Sequence, residues 1–164
     1  MNMDFNHITI EYISDINSEQ LQNIERSDVS ESFVDSLDSI NAYTNYGLEH
    51  HLKGHTYLIK YQNELAGILL IGEGIAWETD PIELKDVPFY RLMDFIIVQK
   101  YRNIGLGSFV IEKVITNMYE EFGVRPIVLG VHKDNIGAEK FYYKHGFVKT
   151  NYMDGDDYYF IRWT

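Results

Sequence analysis

The sequence predicts a mixed α/β fold whose strands pair mostly with their neighbours along the chain. Three observations predict it. Short apolar runs are separated by turn residues, as in hairpins. Two longer segments repeat apolar residues at helical spacing. The elements do not alternate strand and helix regularly, which argues against a dinucleotide-binding βαβ architecture.

The elements follow in order. His7–Ile13 alternates as a first strand, and Ser14–Asn17 is a cap for a following helix. Ser27–Leu52 reads as helical, interrupted near Asn45–Gly47 and ended at Gly54. Thr56–Lys60 and Leu65–Trp77 read as strands joined by a turn at Gln62-Asn63. Glu78–Val87 is an acidic loop, and Tyr90–Val98 is a buried strand. In Gly105–Phe122, Leu106, Val110, Val114 or Ile115, Met118 and Phe122 mark a helix face. Pro126–Val131 is a short strand. Asn135–His145 is a helix with Gly146 as its left-handed cap. Phe147–Tyr152 and Tyr158–Trp163 close the chain as a hairpin around Asp154-Gly155-Asp156.

The chain has 164 residues, 45% of them hydrophobic, which suits one domain spanning 1–164. Its formal net charge of −11 disfavours nucleic acid and anionic membranes as partners and favours cations. There is no cysteine, hence no thiol nucleophile or disulfide framework; this fits a reducing cytoplasm. Met1–Ile13 lacks a basic region followed by an apolar run, so no signal peptide is expected. No apolar run is long enough to span a bilayer. His50, His51 and His55 cluster, but Gly54 breaks the spacing and no ligand pattern completes a metal site; a surface cluster is expected.

Arg102-Asn103-Ile104-Gly105-Leu106-Gly107-Ser108 joins the Tyr90–Val98 strand to a helix. A helix start exposes amide N–H groups and carries positive potential. Glycines let an anion approach those amides, and Arg102 adds a fixed charge. A tight turn explains two glycines equally well. The segment is neither a Walker loop nor a dinucleotide fingerprint, since Val110 occupies the third glycine position.

A second segment adds Asn135, Ala138, Tyr142 and Gly146-Phe147. Together with Arg102, Gly105 and Gly107, these residues resemble the two signatures of the GCN5-related N-acetyltransferase (GNAT) superfamily. The resemblance covers roughly residues 7–163. It implies a twisted, mixed, mostly antiparallel sheet of six or seven strands flanked by about four helices, with a bulged fourth strand splayed from its neighbour. It implies acetyl-CoA as co-substrate and no metal. The backbone of Ile96, Ile97 and Val98 would pair with the pantetheine arm. The amides of Asn103, Ile104, Gly105, Leu106, Gly107 and Ser108, with Arg102, would hold the pyrophosphate. Asn135 would lie near the pantetheine. Lys144 is a candidate for the 3′-phosphate end, or a solvated helix lysine.

The implied reaction is direct attack of an amine on the thioester, without an acyl-enzyme. Tyr142 matches the family's general acid. Asp94 is a carboxylate in an apolar strand, so it is a candidate amine anchor and catalytic residue, or a satisfied polar group at a bulge. Leu92–Val98 resembles the spermidine/spermine acetyltransferase branch, except that Met93 replaces a commonly acidic residue, which leaves the base open. Glu73, Glu78, Asp80, Glu83 and Asp86 cluster in and before the acidic loop. Glu78 is the candidate there, as base or substrate contact, and a solvated loop is the alternative. Asn41–Tyr46 is a candidate aromatic wall. A small cationic amine such as a polyamine is the first expectation for the acceptor. A peptide N-terminus, an aminoglycoside and a non-catalytic acyl-CoA sensor are alternatives. Tyr158–Ile161 either pairs across a homodimer or belongs to the core.

Overall fold

A computed structural model describes residues 4–15 and 37–164. The expected helix cap at Ser14–Asn17 and the first part of the Ser27–Leu52 helix lie partly or wholly outside them. The described elements are β1 (Ile8–Tyr12), α1 (Leu37–Glu49), β2 (Gly54–Tyr61), β3 (Glu64–Glu73), β4 (Tyr90–Ile97), α2 (Leu106–Phe122), β5 (Ile127–His132), α3 (Ile136–Lys144), β6 (Val148–Asp154) and β7 (Asp157–Arg162). The strands form one seven-stranded sheet in the order β1-β2-β3-β4-β5-β7-β6. Among the described residues no helix is long and apolar enough to cross a membrane.

β1 to β4 form an antiparallel meander, as the hairpin signals predicted. α2 then crosses over to β5, which pairs parallel with β4. One sheet face buries Leu106, Val110, Ile111, Val114, Ile115 and Met118 of α2 against Leu69, Ile71, Leu92 and Leu129. Phe141 and Tyr142 of α3 pack on the same side. The opposite face packs Ile40 of α1 against Leu58, Ile68 and Ile96.

Three boundaries depart from the sequence reading. α1 runs through Asn45–Gly47 without a break. It ends at Glu49; beyond it His51 takes φ +53° and the Leu52 amide donates to Gly47 O at 3.0 Å. That closure satisfies the last carbonyls, so Gly47 is carried inside the helix. Gly54 instead opens β2, where its φ of +130° and its close approach to Gly72 exclude a side chain. β3 stops at Glu73 and not at Trp77; the Gly74 amide makes one more bond, to Phe89 O at 2.9 Å, and the Phe89 ring packs where a Cβ on Gly74 would stand. β7 lies inside the sheet between β5 and β6, with Tyr159, Phe160 and Ile161 buried. It is core, and it offers no edge for pairing across a dimer.

β4 carries the irregularity that shapes the site. Leu70 of β3 pairs with Asp94, yet the next residue, Ile71, pairs with Leu92. Met93 is therefore an extra residue, a β-bulge. On its other side β4 pairs with β5 only at Tyr90↔Ile127 and Arg91↔Val128. Beyond Arg91 the two strands diverge, and the β4 edge from Met93 to Ile97 lacks a strand partner among the described residues.

Candidate active site

Two cavities flank β4 beyond this divergence. The first, about 510 Å³, is lined by Phe95, Ile97, the Arg102–Ser108 turn and α3 residues including Phe141, Tyr142 and Lys144. The second, about 150 Å³, lies between α1 and the β3–β4 surface and includes Met93.

The turn that borders the first cavity is built from backbone as much as side chains. Asn103 and Gly105 both take left-handed conformations, at φ +61° and +87°. Asparagine tolerates this region and glycine pays nothing for it. α2 then starts at Leu106, and its first intrahelical bond runs from Phe109 N to Gly105 O at 3.1 Å. The amides of Leu106, Gly107 and Ser108 thus precede the helix ladder and carry its positive end. A Cβ on Gly107 would meet nothing nearer than Phe141 at 3.5 Å, so packing alone does not require a glycine there. Arg102 is fixed by its Nε–H, which donates to Ile97 O at 2.7 Å. A concave run of amides beside a tethered guanidinium fits a phosphate-bearing ligand, and the open β4 edge fits an extended amide chain.

Of the residues expected around a cofactor, Ile97, Arg102, Asn103, Gly105, Gly107, Ser108 and Lys144 line this cavity. Ile96 points to the opposite face, into the Ile13–Ile40 cluster, so its part is limited to backbone. Leu106 is buried in the main core, where Val98 and Ile104 also pack. The Asn135 side chain caps α3 by accepting from Ala138 N at 3.2 Å, and it does not line the cavity.

Sequence reasoning missed His145 and Glu112. The His145 ring is buried; its Nδ1 is 2.8 Å from Glu112 Oε1 and its Nε2 is 2.9 Å from Ser108 Oγ. Ser108 and Glu112 are four apart on α2 and share a face. That spacing was the available signal, but the histidine comes from the end of α3.

Tyr142 lines the first cavity, while Tyr143 is exposed. Burial raises the Tyr142 phenol well above its ordinary range, and the negative charge of Asp94 raises it further. Asp94 is itself 2% exposed. Its neighbour Met93 lines the second cavity and its neighbour Phe95 lines the first. Asp94 itself lines neither cavity; it is buried between the strand positions that border them.

The acidic loop divides differently from its appearance in sequence. Asp80 takes both guanidinium nitrogens of buried Arg91, at 3.0 and 2.9 Å. Glu73 accepts from Lys53 N and lies 3.6 Å from Arg125. Glu78 is exposed and lines neither cavity. The Asn41–Tyr46 stretch does supply aromatic wall, through Tyr43 and Tyr46. His55 pairs with Glu121 at 2.7 Å, and His50 Nδ1 bonds Tyr46 O. Among the described residues no group of three His, Asp or Glu side chains could hold a metal ion.

The fold has solved counterparts. Arabidopsis thaliana Naa50, in complex with the bisubstrate analogue CoA-Ac-MVNAL, is 20% identical with a TM-score of 0.62, covering 94% of this chain and 97% of that one. A GNAT acetyltransferase from Elizabethkingia anophelis with acetyl-CoA bound is 18% identical with a TM-score of 0.63, covering 97% and 99%. The PaiA N-acetyltransferase from Thermoplasma acidophilum, in complex with coenzyme A, is 18% identical with a TM-score of 0.65, covering 96% and 99%. These likenesses concern the fold. No curated protein sequence matches the chain. The acetyltransferase (GNAT) family model matches residues 18–147, most of the chain and both signature segments, and the chain belongs to that family.

Proposed function

We propose that the chain binds acetyl-CoA in the cradle between β4, α2 and α3 and transfers the acetyl group to a primary amine by direct attack. The observation that carries this reading is the first cavity itself, where the opening of α2, the tethered Arg102 and Tyr142 line one hollow beside the open β4 edge. Arg102, the Asn103–Ser108 amides and Lys144 would hold the phosphates, and the β4 backbone at Ile96–Val98 would pair with the pantetheine. When bound, acetyl-CoA supplies an activated thioester carbonyl.

Asp94 anchors the incoming ammonium and takes up its proton at a carboxylate oxygen, directly or through water. Tyr142 keeps its phenolic proton at neutral pH and donates a hydrogen bond toward the leaving sulfur. The two are coupled. Protonating Asp94 removes the negative charge that raises Tyr142, so the phenol becomes a stronger acid as the amine loses its proton.

A polyamine acceptor draws support from the net charge of −11 and from Glu73 at the second cavity. A peptide N-terminus draws support from the Arabidopsis relative's bisubstrate complex. The cysteine-free sequence supports a cytoplasmic setting. Incubation with acetyl-CoA and a panel of polyamines, aminoglycosides, amino acids and peptides tests the reading. Release of coenzyme A thiol dependent on an amine is expected; no release with any of them overturns it.

A further inference from the structure

We propose that the second cavity selects a primary amine carrying one compact apolar group, aromatic or branched, rather than a polycation. This rests on the acetyl-transfer reading and names its acceptor class.

The walls are apolar. Tyr43 and Tyr46 come from α1, Ile75 and Trp77 from the loop after β3, Leu52 from the α1–β2 connection, and Met93 from the bulge. Tyr43, Tyr46, Ile75 and Trp77 are each more than 40% exposed, yet all four converge on one hollow. Scattered exposed apolar residues are ordinary, but four gathered around one cavity mark a ligand surface. At about 150 Å³ the space matches an engineered cavity that holds benzene, so one ring or one branched alkyl group fills it.

Most polar side chains around this space have partners, and the exposed Lys53 is itself a cation. Arg91 is locked by Asp80 and by Ile75 O at 2.8 Å, with Trp77 stacked 3.7 Å from its guanidinium carbon. The Thr56 and Thr44 hydroxyls bond each other at 2.6 Å, and Thr44 donates onward to Ile40 O. Glu73 and His55 are engaged with Arg125 and Glu121. Among the described residues the wall thus lacks the row of carboxylates that several ammonium groups would need. At the inner end Met93 and Leu70 both line the cavity, and they are the chain neighbour and the register partner of Asp94. One buried carboxylate behind the inner end of an apolar pocket matches one ammonium on an apolar body.

A free arylalkylamine and a peptide with an apolar first residue share this chemistry. The test compares kcat/KM for phenethylamine, isobutylamine, spermidine and short peptides beginning with Phe or Asp. Calorimetric binding of phenethylamine and spermidine to the coenzyme A-saturated protein is measured in parallel. Phenethylamine or the Phe peptide is expected to exceed spermidine and the Asp peptide by more than about tenfold in kcat/KM, a discrimination within reach of a hydrophobic pocket. The faster of the two identifies the source. Tyr46→Ala and Trp77→Ala should each raise KM for phenethylamine several-fold while leaving KM for acetyl-CoA unchanged. Spermidine equal to or better than phenethylamine in both rate and binding overturns the proposal. Tight phenethylamine binding without turnover of any amine supports the pocket and overturns the transfer reading alone.

Discussion

His145 holds Ser108 at the mouth of the cradle, with Nε2 2.9 Å from Ser108 Oγ. Glu112 lies 2.8 Å from the other ring nitrogen, and an ionised carboxylate only accepts, so Nδ1 donates. With Nδ1 as the donor, Nε2 of the neutral ring accepts a hydrogen bond from the Ser108 hydroxyl and so fixes its orientation. His145→Ala removes this control over the hydroxyl. The dissociation constant for acetyl-CoA should rise about five- to tenfold, the loss expected of one hydrogen bond. kcat at saturating acetyl-CoA should change much less. Calorimetry and a KM–kcat split check this; a fall in kcat at unchanged affinity is the contrary result.

The two cradle glycines should respond in opposite ways to the same substitution. Gly105→Ala places a side chain at φ +87°, which costs about 1–2 kcal/mol. It should also weaken acetyl-CoA binding by distorting the turn. Gly107→Ala lies inside α2, its Cβ meets only ordinary contacts, and alanine is the better helix former. Its stability in urea should match or exceed that of the parent. A larger loss at Gly107 than at Gly105 would refute this account of the turn.

The geometry of the cradle was legible because it is local. Arg102 to Ser108 occupy consecutive positions, and glycine at two of them announces the turn. Tyr142 was separable from Tyr143 because it falls on the family motif, and neighbouring helix residues point in different directions. A bulge in this strand was implied by the family resemblance, but its place at Met93 was not legible, since the mostly apolar run from Leu92 to Val98 hides a change of face. His145 was missed because its partners are 33 and 37 residues away in sequence. The second cavity draws on α1, the loop after β3 and β4, so only the folded sheet brings Tyr46, Trp77 and Met93 together. The acidic loop misled for a related reason: sequence shows Asp80 but not the buried Arg91 that occupies it.

That Arg91–Asp80 pair should be the most sensitive surface-loop feature. Its side chains are 6% and 10% exposed. Asp80→Ala leaves a guanidinium buried without its carboxylate, which typically costs about 3–5 kcal/mol. Urea denaturation should show a loss of this size, with Asp80→Asn intermediate. A loss below about 1 kcal/mol would mean that water reaches Arg91 freely.

Tyr142→Phe should lower kcat about a hundredfold, the low end for removal of a positioned acid, while leaving acetyl-CoA affinity intact. A sensor without turnover predicts no such kinetic loss. The same variant carries a stability signature. In the folded chain the Tyr142 phenol titrates above its unfolded value of about 10. Stability from this group is therefore full below pH 10 and falls as pH rises from there, because the unfolded chain loses the proton first. Tyr142→Phe should flatten part of the decline in stability above pH 10. An unchanged alkaline profile would count against the raised phenol.

Asp94→Asn tests the centre of the mechanism. The change keeps size and shape at a residue that is 2% exposed, and it removes the charge. If Asp94 anchors and deprotonates the amine, kcat/KM for the acceptor should fall at least a hundredfold while acetyl-CoA binds as before. A purely structural Asp94 predicts loss of stability with parent-like kinetics in the folded fraction. A second readout needs no acceptor. The Asp94 charge helps to raise the Tyr142 phenol, so Asp94→Asn should bring Tyr142 ionisation down toward its ordinary range. Ultraviolet difference titration against the Asp94→Asn/Tyr142→Phe double variant isolates that one tyrosine. A Tyr142 titration unmoved by Asp94→Asn would separate the two groups electrostatically and remove the coupled proton transfer, even if the kinetic loss were found.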